Sequence, residues 1–451
     1  MKVTKKLNSI NVAIITGITG VIFILISITG FLLSNISVNY NKDSVSVANN
    51  IDNTGNSNNG VNNTENSDYE DNGDNRTSIV NTDIADDVNV NNADSSAGNI
   101  LIENESDNIN INEKDNNANT SRQNMQNGQD EAKLVPYNGP IRHIYFNPLI
   151  AYTQLAFDGD SMTESLNKWY ITVKEFKGIL NSLYEKGYIL IDIRSIFEEK
   201  EENGNRTITK KELLLPEGKR PLIISIDNNC YYEYMKKNGT VHKLILGSDG
   251  NIWDYSVSPE GKEVISRDND IIPIVDKFVE EHPDFSFRGA KGIIALTGYE
   301  GILGYRMNNR QSPDFKKEKE EVSKLVKRLK ETGWTFACQS YNHVNIANIS
   351  LDALKEDTNK WKEEVGSIVG PTPVYVFPFG SRVKPGDEKF RYLLDSGFNV
   401  LCAIGDNDYI HYGPDYIEFD RIHIDGIAFQ RKLEVLSDMF NIEDIIDEAR
   451  P

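Results

Sequence analysis

Leu222-Ile223-Ile224-Ser225-Ile226-Asp227-Asn228-Asn229 sets a continuous apolar run directly against three polar residues. A run of this length without alternation is the pattern of a strand buried on both faces, as in a parallel sheet. In such sheets the reactive groups collect where the strands end, so Asp227 and its neighbours are candidate site residues.

Working outward from this stretch, the same unit recurs. Ile141-Arg142-His143-Ile144-Tyr145-Phe146 reads as a first strand. A helix follows, opened by a capping box of Thr172 and Glu175, with Val173, Phe176, Ile179, Leu180 and Leu183 on one face. Gly187 closes it, and Tyr188-Ile189-Leu190-Ile191 begins the next strand. Further on, Ile293–Leu296, Trp334–Cys338, Val374–Phe377 and Val400–Ala403 read as strands. Helices lie between them, one with Val322, Leu325, Val326 and Leu329 at i, i+3, i+4 and i+7, another capped by Ser350. Between Val241 and Arg267 the signals change to short strands around Asp249-Gly250 and Glu260-Gly261, which predicts a small antiparallel insertion. Strand–helix alternation over about 315 residues favours a closed or nearly closed α/β barrel over an open sheet. No Gly-x-Gly-x-x-Gly follows any strand, which argues against a dinucleotide site.

The N-terminal third is different. Lys2, Lys5 and Lys6 precede an uncharged apolar run, Val12–Leu33, long enough to cross a bilayer. The flanking charge places residues 1–11 in the cytoplasm and the remainder outside, as a single-pass signal-anchor in the cell membrane. A cleaved signal peptide is the alternative; the span's length and the lack of a small-x-small site after it favour the anchor. Residues 34–135 are rich in Asn, Asp and Ser without apolar periodicity, and read as a disordered linker with a reach on the order of 55 Å. The globular domain is therefore expected over 136–451, with the β insertion at 241–267.

A formal net charge of −20 argues against a nucleic-acid partner and against adhesion to anionic polymers by charge alone. Three scattered cysteines, with no C-x-x-C pair, exclude a disulfide framework and a structural zinc cluster.

The strand ends carry a second pattern. Asp227-Asn228 closes one strand, Gln339-Ser340-Tyr341-Asn342-His343 a later one, and Phe377-Pro378-Phe379-Gly380 follows a third. In order and context these resemble the first three motifs of the polysaccharide deacetylases, the NodB homology domain or carbohydrate esterase family 4. The resemblance covers roughly residues 141–440 and implies a distorted (β/α)7 barrel. In that family the first motif is Thr/Ser-Phe-Asp-Asp and the second His-Ser/Thr-x-x-His. One Asp acts as base, and the other Asp with both His binds a divalent metal, usually zinc, which activates water against an acetyl carbonyl.

Carried across, the resemblance implies Asp227 as base and His343 as a metal ligand. Asn228 and Gln339 stand where the other two ligands belong, Val376 where the third motif has Arg, and Asn147 where relatives often have His. Neutral amide oxygens are poor zinc ligands, so metal affinity is expected to fall by orders of magnitude. His423 is a candidate general acid. Tyr341, Phe379 and Arg421 are candidate substrate contacts, with Arg421 also placed to pair with a carboxylate. Two functions follow. One is metal-assisted deacetylation of cell-wall polysaccharide or peptidoglycan at the cell surface. The other is a catalytically degenerate barrel that binds or senses glycans without a cofactor.

Overall fold

The computed structural model describes residues 133–431 and 434–451. The expected cytoplasmic segment, the Val12–Leu33 anchor and the linker up to residue 132 lie outside these residues. Among the described residues no helix is long and apolar enough to cross a membrane. Leu134 and Val135, assigned to the linker from sequence, instead form a strand with Pro136 that pairs antiparallel with Leu214–Pro216. The folded domain thus begins slightly before the expected boundary.

Eight strands organise the domain: β1 Arg142–Phe146, β2 Tyr188–Leu190, β3 Arg220–Ile226, β4 Ile293–Leu296, β5 Thr335–Cys338, β6 Val374–Val376, β7 Val400–Ile404 and β8 Ile417–His423. Seven of them close into a parallel ring in the order β1-β3-β4-β5-β6-β7-β8 and back to β1. β2 stays outside the ring. It pairs with β3 over Arg220–Leu222, whereas β4 pairs with β3 only at Ser225 and Ile226. One strand thus serves two neighbours at different heights.

Side-chain parity divides the ring into two cores. Ile223, Ala295, Ala337, Val376, Cys402 and Phe419 fill the interior. Ile144, Ile224, Leu296, Cys338, Tyr375 and Leu401 face the helical layer. The helices of that layer include α1 Val173–Glu185, α2 Ile271–Glu281, α3 Phe315–Glu331, α4 Leu351–Trp361 and α5 Glu388–Asp395. The Thr172–Glu175 capping box opens α1, and Ser350 caps α4 through the Ala353 N–H.

The insertion is a three-stranded antiparallel sheet, Lys243–Leu246, Ile252–Val257 and Glu263–Ser266. A second hairpin, Phe197–Glu202 with Asn205–Lys210, was not foreseen from sequence. Its first strand, Phe-Glu-Glu-Lys-Glu-Glu, is exposed apart from Phe197, so it lacks the apolar alternation that reveals a half-buried strand.

Candidate functional site

Inward parity delivers a defined set of residues to the C-terminal mouth of the ring. β3 leads through Ile223 and Ser225 to Asp227, and β8 through Phe419 and Arg421 to His423. β5 leads through Ala337 to Gln339, and β1 through His143 and Tyr145 to Asn147. A slip of one residue in any strand would turn its member of this set toward the helices.

Asp227, 4% exposed, accepts from both terminal nitrogens of Arg421, Nη1 to Oδ1 at 2.6 Å and Nη2 to Oδ2 at 2.9 Å. Arg421 also donates to Ser225 Oγ at 3.1 Å, and its guanidinium lies 4.2 Å from the centre of the Tyr145 ring. Arg421 has no exposed surface, so the expected substrate contact is corrected. Its whole fork is spent on Asp227, Ser225 and the ring wall. The pairing with a carboxylate is what the structure shows. Val376 does not offer this charge from β6; the guanidinium comes from β8 instead. Below them His143 places Nε2 3.1 Å from Ser225 Oγ. Burial, and then the Arg421 charge, hold its pKa well below the usual histidine value, so it is neutral.

The positions where the resemblance puts metal ligands are joined by an amide network. Asn228 Nδ2 donates to Asn147 Oδ1 at 3.0 Å, and Asn147 Nδ2 donates to the Trp169 carbonyl at 3.0 Å. Tyr232 donates its hydroxyl hydrogen to Asn228 Oδ1 at 3.2 Å, and Tyr232 itself lies 2.8 Å from Thr297 Oγ1. Gln339 Oε1 accepts from the Asn228 backbone N–H at 3.1 Å, which turns its Nε2 toward His343 Nε2 at 3.5 Å. The amide oxygens that would have to face a cation are therefore engaged by donors.

No group of three or more His, Cys, Asp or Glu side chains placed to hold a metal occurs among the described residues. With His343 the only strong donor of the three expected ligands, the set does not fit zinc. Cys230 supplies no replacement. It is buried with its sulfur 3.2 Å from Thr297 Oγ1, and burial pushes its thiol up to about 12.

His423 stands on the other side of the mouth. Its Nδ1 lies 2.9 Å from Asp425 Oδ2, while Asp425 Oδ1 caps the Ala428 N–H at 2.7 Å. The imidazole stacks on Tyr145, 4.2 Å between ring centres and 11° between planes, and Trp169 lies nearly parallel at 6.3 Å. Its Nε2 has no hydrogen-bond partner. A carboxylate on Nδ1 with Nε2 unengaged is the arrangement of an oriented acid, base or ligand-binding imidazole.

The aromatic candidates divide. Phe379 is 61% exposed, adopts a left-handed backbone (φ 58°), and packs edge-on to His343 at 4.6 Å. Tyr341 is 2% exposed and donates its hydroxyl hydrogen to Glu364 at 2.5 Å. Its expected role as a sugar contact is corrected, because the ring belongs to the outer packing layer. Sequence reading missed Trp169, 41% exposed beside His423, because it ends a short helix, Thr163–Trp169, with no strand-end signal. It also missed Asp357 of α4, which accepts from the Tyr341 N–H at 2.7 Å and the Asn342 N–H at 2.9 Å. This carboxylate holds the loop on which Ser340 (φ 60°) and His343 (φ 52°) both take left-handed conformations.

No family model and no curated protein matches the chain. Similar solved structures include a polysaccharide deacetylase from Bacillus cereus, at 12% identity over 67% of this chain and 71% of that one, with TM-score 0.37. The Streptococcus pyogenes deacetylase PplD, solved in complex with acetate, shares 12% identity over 66% of this chain and 100% of that one, with TM-score 0.34. IcaB from Ammonifex degensii shares 8% over 66% and 96%, with TM-score 0.34. The seven-stranded barrel described above rests on its own strand pairings.

Proposed function

We propose that this chain is a glycan-binding protein on a polysaccharide deacetylase-type barrel, with its mouth retained for recognition and its metal centre retired. The observation that carries this reading is the amide network of Asn147, Asn228, Gln339 and His343, which satisfies internally the groups a cation would need. Amides and an imidazole in a mouth flanked by exposed Phe379 and Trp169 suit sugar hydroxyls, N-acetyl groups and the apolar faces of pyranose rings. The ligand proposed is an acetylated amino-sugar polymer of the cell wall. The sequence supports a membrane-anchored, outward-facing placement through Val12–Leu33 and the long polar linker.

A second reading, hydrolysis of acetyl groups, is favoured by one observation: Asp227 and the His423–Asp425 pair both stand at the mouth. That reading requires a divalent cation, most simply zinc, which the wild-type donor set does not fit.

Calorimetry separates the two. Zinc is titrated into wild type and into the Asn228→Asp/Gln339→His variant, with N-acetylglucosamine oligomer binding and acetate release followed in parallel. Oligomer binding that survives chelator, without acetate release, is expected for wild type, and tight zinc binding only for the variant. Tight zinc binding by wild type together with acetate release would sink the recognition reading.

A further inference from the structure

At the end of the ring opposite the mouth, the strands separate. β5 and β6 share a single register pair, Cys338 with Tyr375, near the C-terminal end of β5. Below it the connection Pro371-Thr372-Pro373 enters β6, and neither proline has an N–H to offer a neighbouring strand. The gap opens into a cleft of about 940 Å³, within the size range of ligand sites.

The walls are rigid. The loop Phe287–Ala290 and the turn at Gly333 meet backbone to backbone, with the Lys291 N–H donating to the Gly333 carbonyl at 3.1 Å. A Cβ at Gly333 (φ 101°) would collide with the Gly289 carbonyl oxygen. Arg288 is held in a left-handed conformation (φ 54°) that sets its guanidinium 4.9 Å from the centre of the Phe287 ring. Strain at a non-glycine residue beside a concave surface points to use.

The charge of this cleft is opposite to that of the chain. Arg194, Arg288 and Lys330 line it against one acidic side chain, Asp192, which grips the Arg194 guanidinium, so the excess of positive charge comes from Arg288 and Lys330. All three cations are exposed at the rim, while Phe336, Val374 and Ala290 are buried on the floor. A net charge of −20 repels anionic polymers at long range, but a local concentration of cations in a cleft reverses the sign at close approach.

We infer that this cleft is a second binding site, independent of the mouth, for an anionic polysaccharide strand whose carboxylate or phosphodiester groups meet Arg288 and Lys330, with the Arg194–Asp192 pair beside them. The apolar faces of its sugar or polyol units would lie against Phe287, Pro371 and Pro373. Arg288 suits either anion, because the guanidinium fork engages both geometries. The same chain would thereby be held at one end of the barrel while the mouth stays free.

The test is binding of the full-length chain to three probes: polygalacturonate, inorganic polyphosphate and neutral dextran. Wild type is expected to bind at least one anionic probe with an affinity that falls as salt rises, and not dextran; which one binds identifies the anion. The Arg288→Gln/Lys330→Gln variant, which leaves the Arg194–Asp192 pair intact, should bind it about tenfold or more weakly, with amino-sugar oligomer binding at the mouth unchanged. Should the double variant lose its fold, the single variants Arg288→Gln and Lys330→Gln should each weaken binding and flatten the salt dependence. Equal binding by the variants, binding to dextran as strong as to the anionic probes, or no binding to either anion would overturn the inference.

Discussion

At the residue scale, the Asp227–Arg421 pair is both the most buried charge pair of the mouth and the reason the mouth keeps its shape. Both oxygens of Asp227 are occupied by one guanidinium that has no exposed surface. A buried pair of this kind adds little net stability when intact, yet removing one partner strands a desolvated charge. Arg421→Met should therefore destabilise the domain by about 3–5 kcal/mol, read as a lower denaturant midpoint at unchanged slope. Adding Asp227→Asn should recover a large part of that loss, since the orphaned charge is then gone. If the double variant is no more stable than Arg421→Met, the stranded charge is not the cause. Phe379 is tested differently. Being exposed and strained, Phe379→Gly should leave stability unchanged or raised, while weakening oligomer binding severalfold by calorimetry. Unaltered binding would remove Phe379 from the mouth's ligand surface.

At the scale of elements, Asp357 shows how a helix builds a site it does not line. From α4 it accepts the Tyr341 and Asn342 N–H groups and so fixes the loop carrying Gln339 and His343 at its ends. Hydrogen bonds from amides to a buried carboxylate are worth about 1.5–3 kcal/mol each. Asp357→Ala should cost on the order of 3 kcal/mol and impair glycan binding beyond what the residual folded fraction explains. Binding that tracks the folded fraction alone would make Asp357 structural only. This is also where legibility in the sequence ends. Strand ends, the Thr172 and Ser350 caps and the Asp-Gly turns are local signals, and these elements appear where the residues put them. The exclusion of Tyr188–Leu190 from the ring depends on which neighbour β3 takes at each height, which no local pattern encodes. Asp227, Asn228 and Gln339 were legible because each follows a strand, and His423 because it ends one. Trp169 flanks the mouth from the end of a short helix and Asp357 acts on it from behind, and Arg421 revealed its partner only once β8 closed beside β1.

At the scale of the whole molecule, the inserted sheet is fastened to the helical layer through two buried carboxylates, and this makes stability depend on pH in an unusual direction. Asp254, on the middle strand of the insertion, is fully buried with only Oδ2 engaged, by the Asn269 N–H at 3.1 Å. Asp270 caps α2 through the Ile272 N–H at 3.1 Å, beneath the buried Tyr231 ring. Burial, and then the charge of Asp270, push Asp254 up to about 7, and burial pushes Asp270 up to about 6. The nearby Asp268 adds to the repulsion, though Lys177 and Lys277 hold it ionised. In the unfolded chain both carboxyls lose their protons near pH 4. Between pH 4 and 7 these two carboxyls therefore hold more protons in the folded than in the unfolded state and make stability fall as pH rises, while buried His143, kept neutral, works in the opposite sense below about pH 6.5. Carboxylates such as Glu233 and Asp284, depressed by their lysine and arginine partners, act in the opposite sense but only below about pH 4. The stability of wild type relative to Asp254→Asn, with His143 common to both, should thus drop by about 3 kcal/mol from pH 4.5 to pH 7.5 in denaturant titrations. Asp254→Asn, which keeps the shape and discards the charge, should stabilise the domain at neutral pH. A difference that stays flat or rises across this interval would show that Asp254 is ionised in the folded state, with the insertion fastened by something other than its proton.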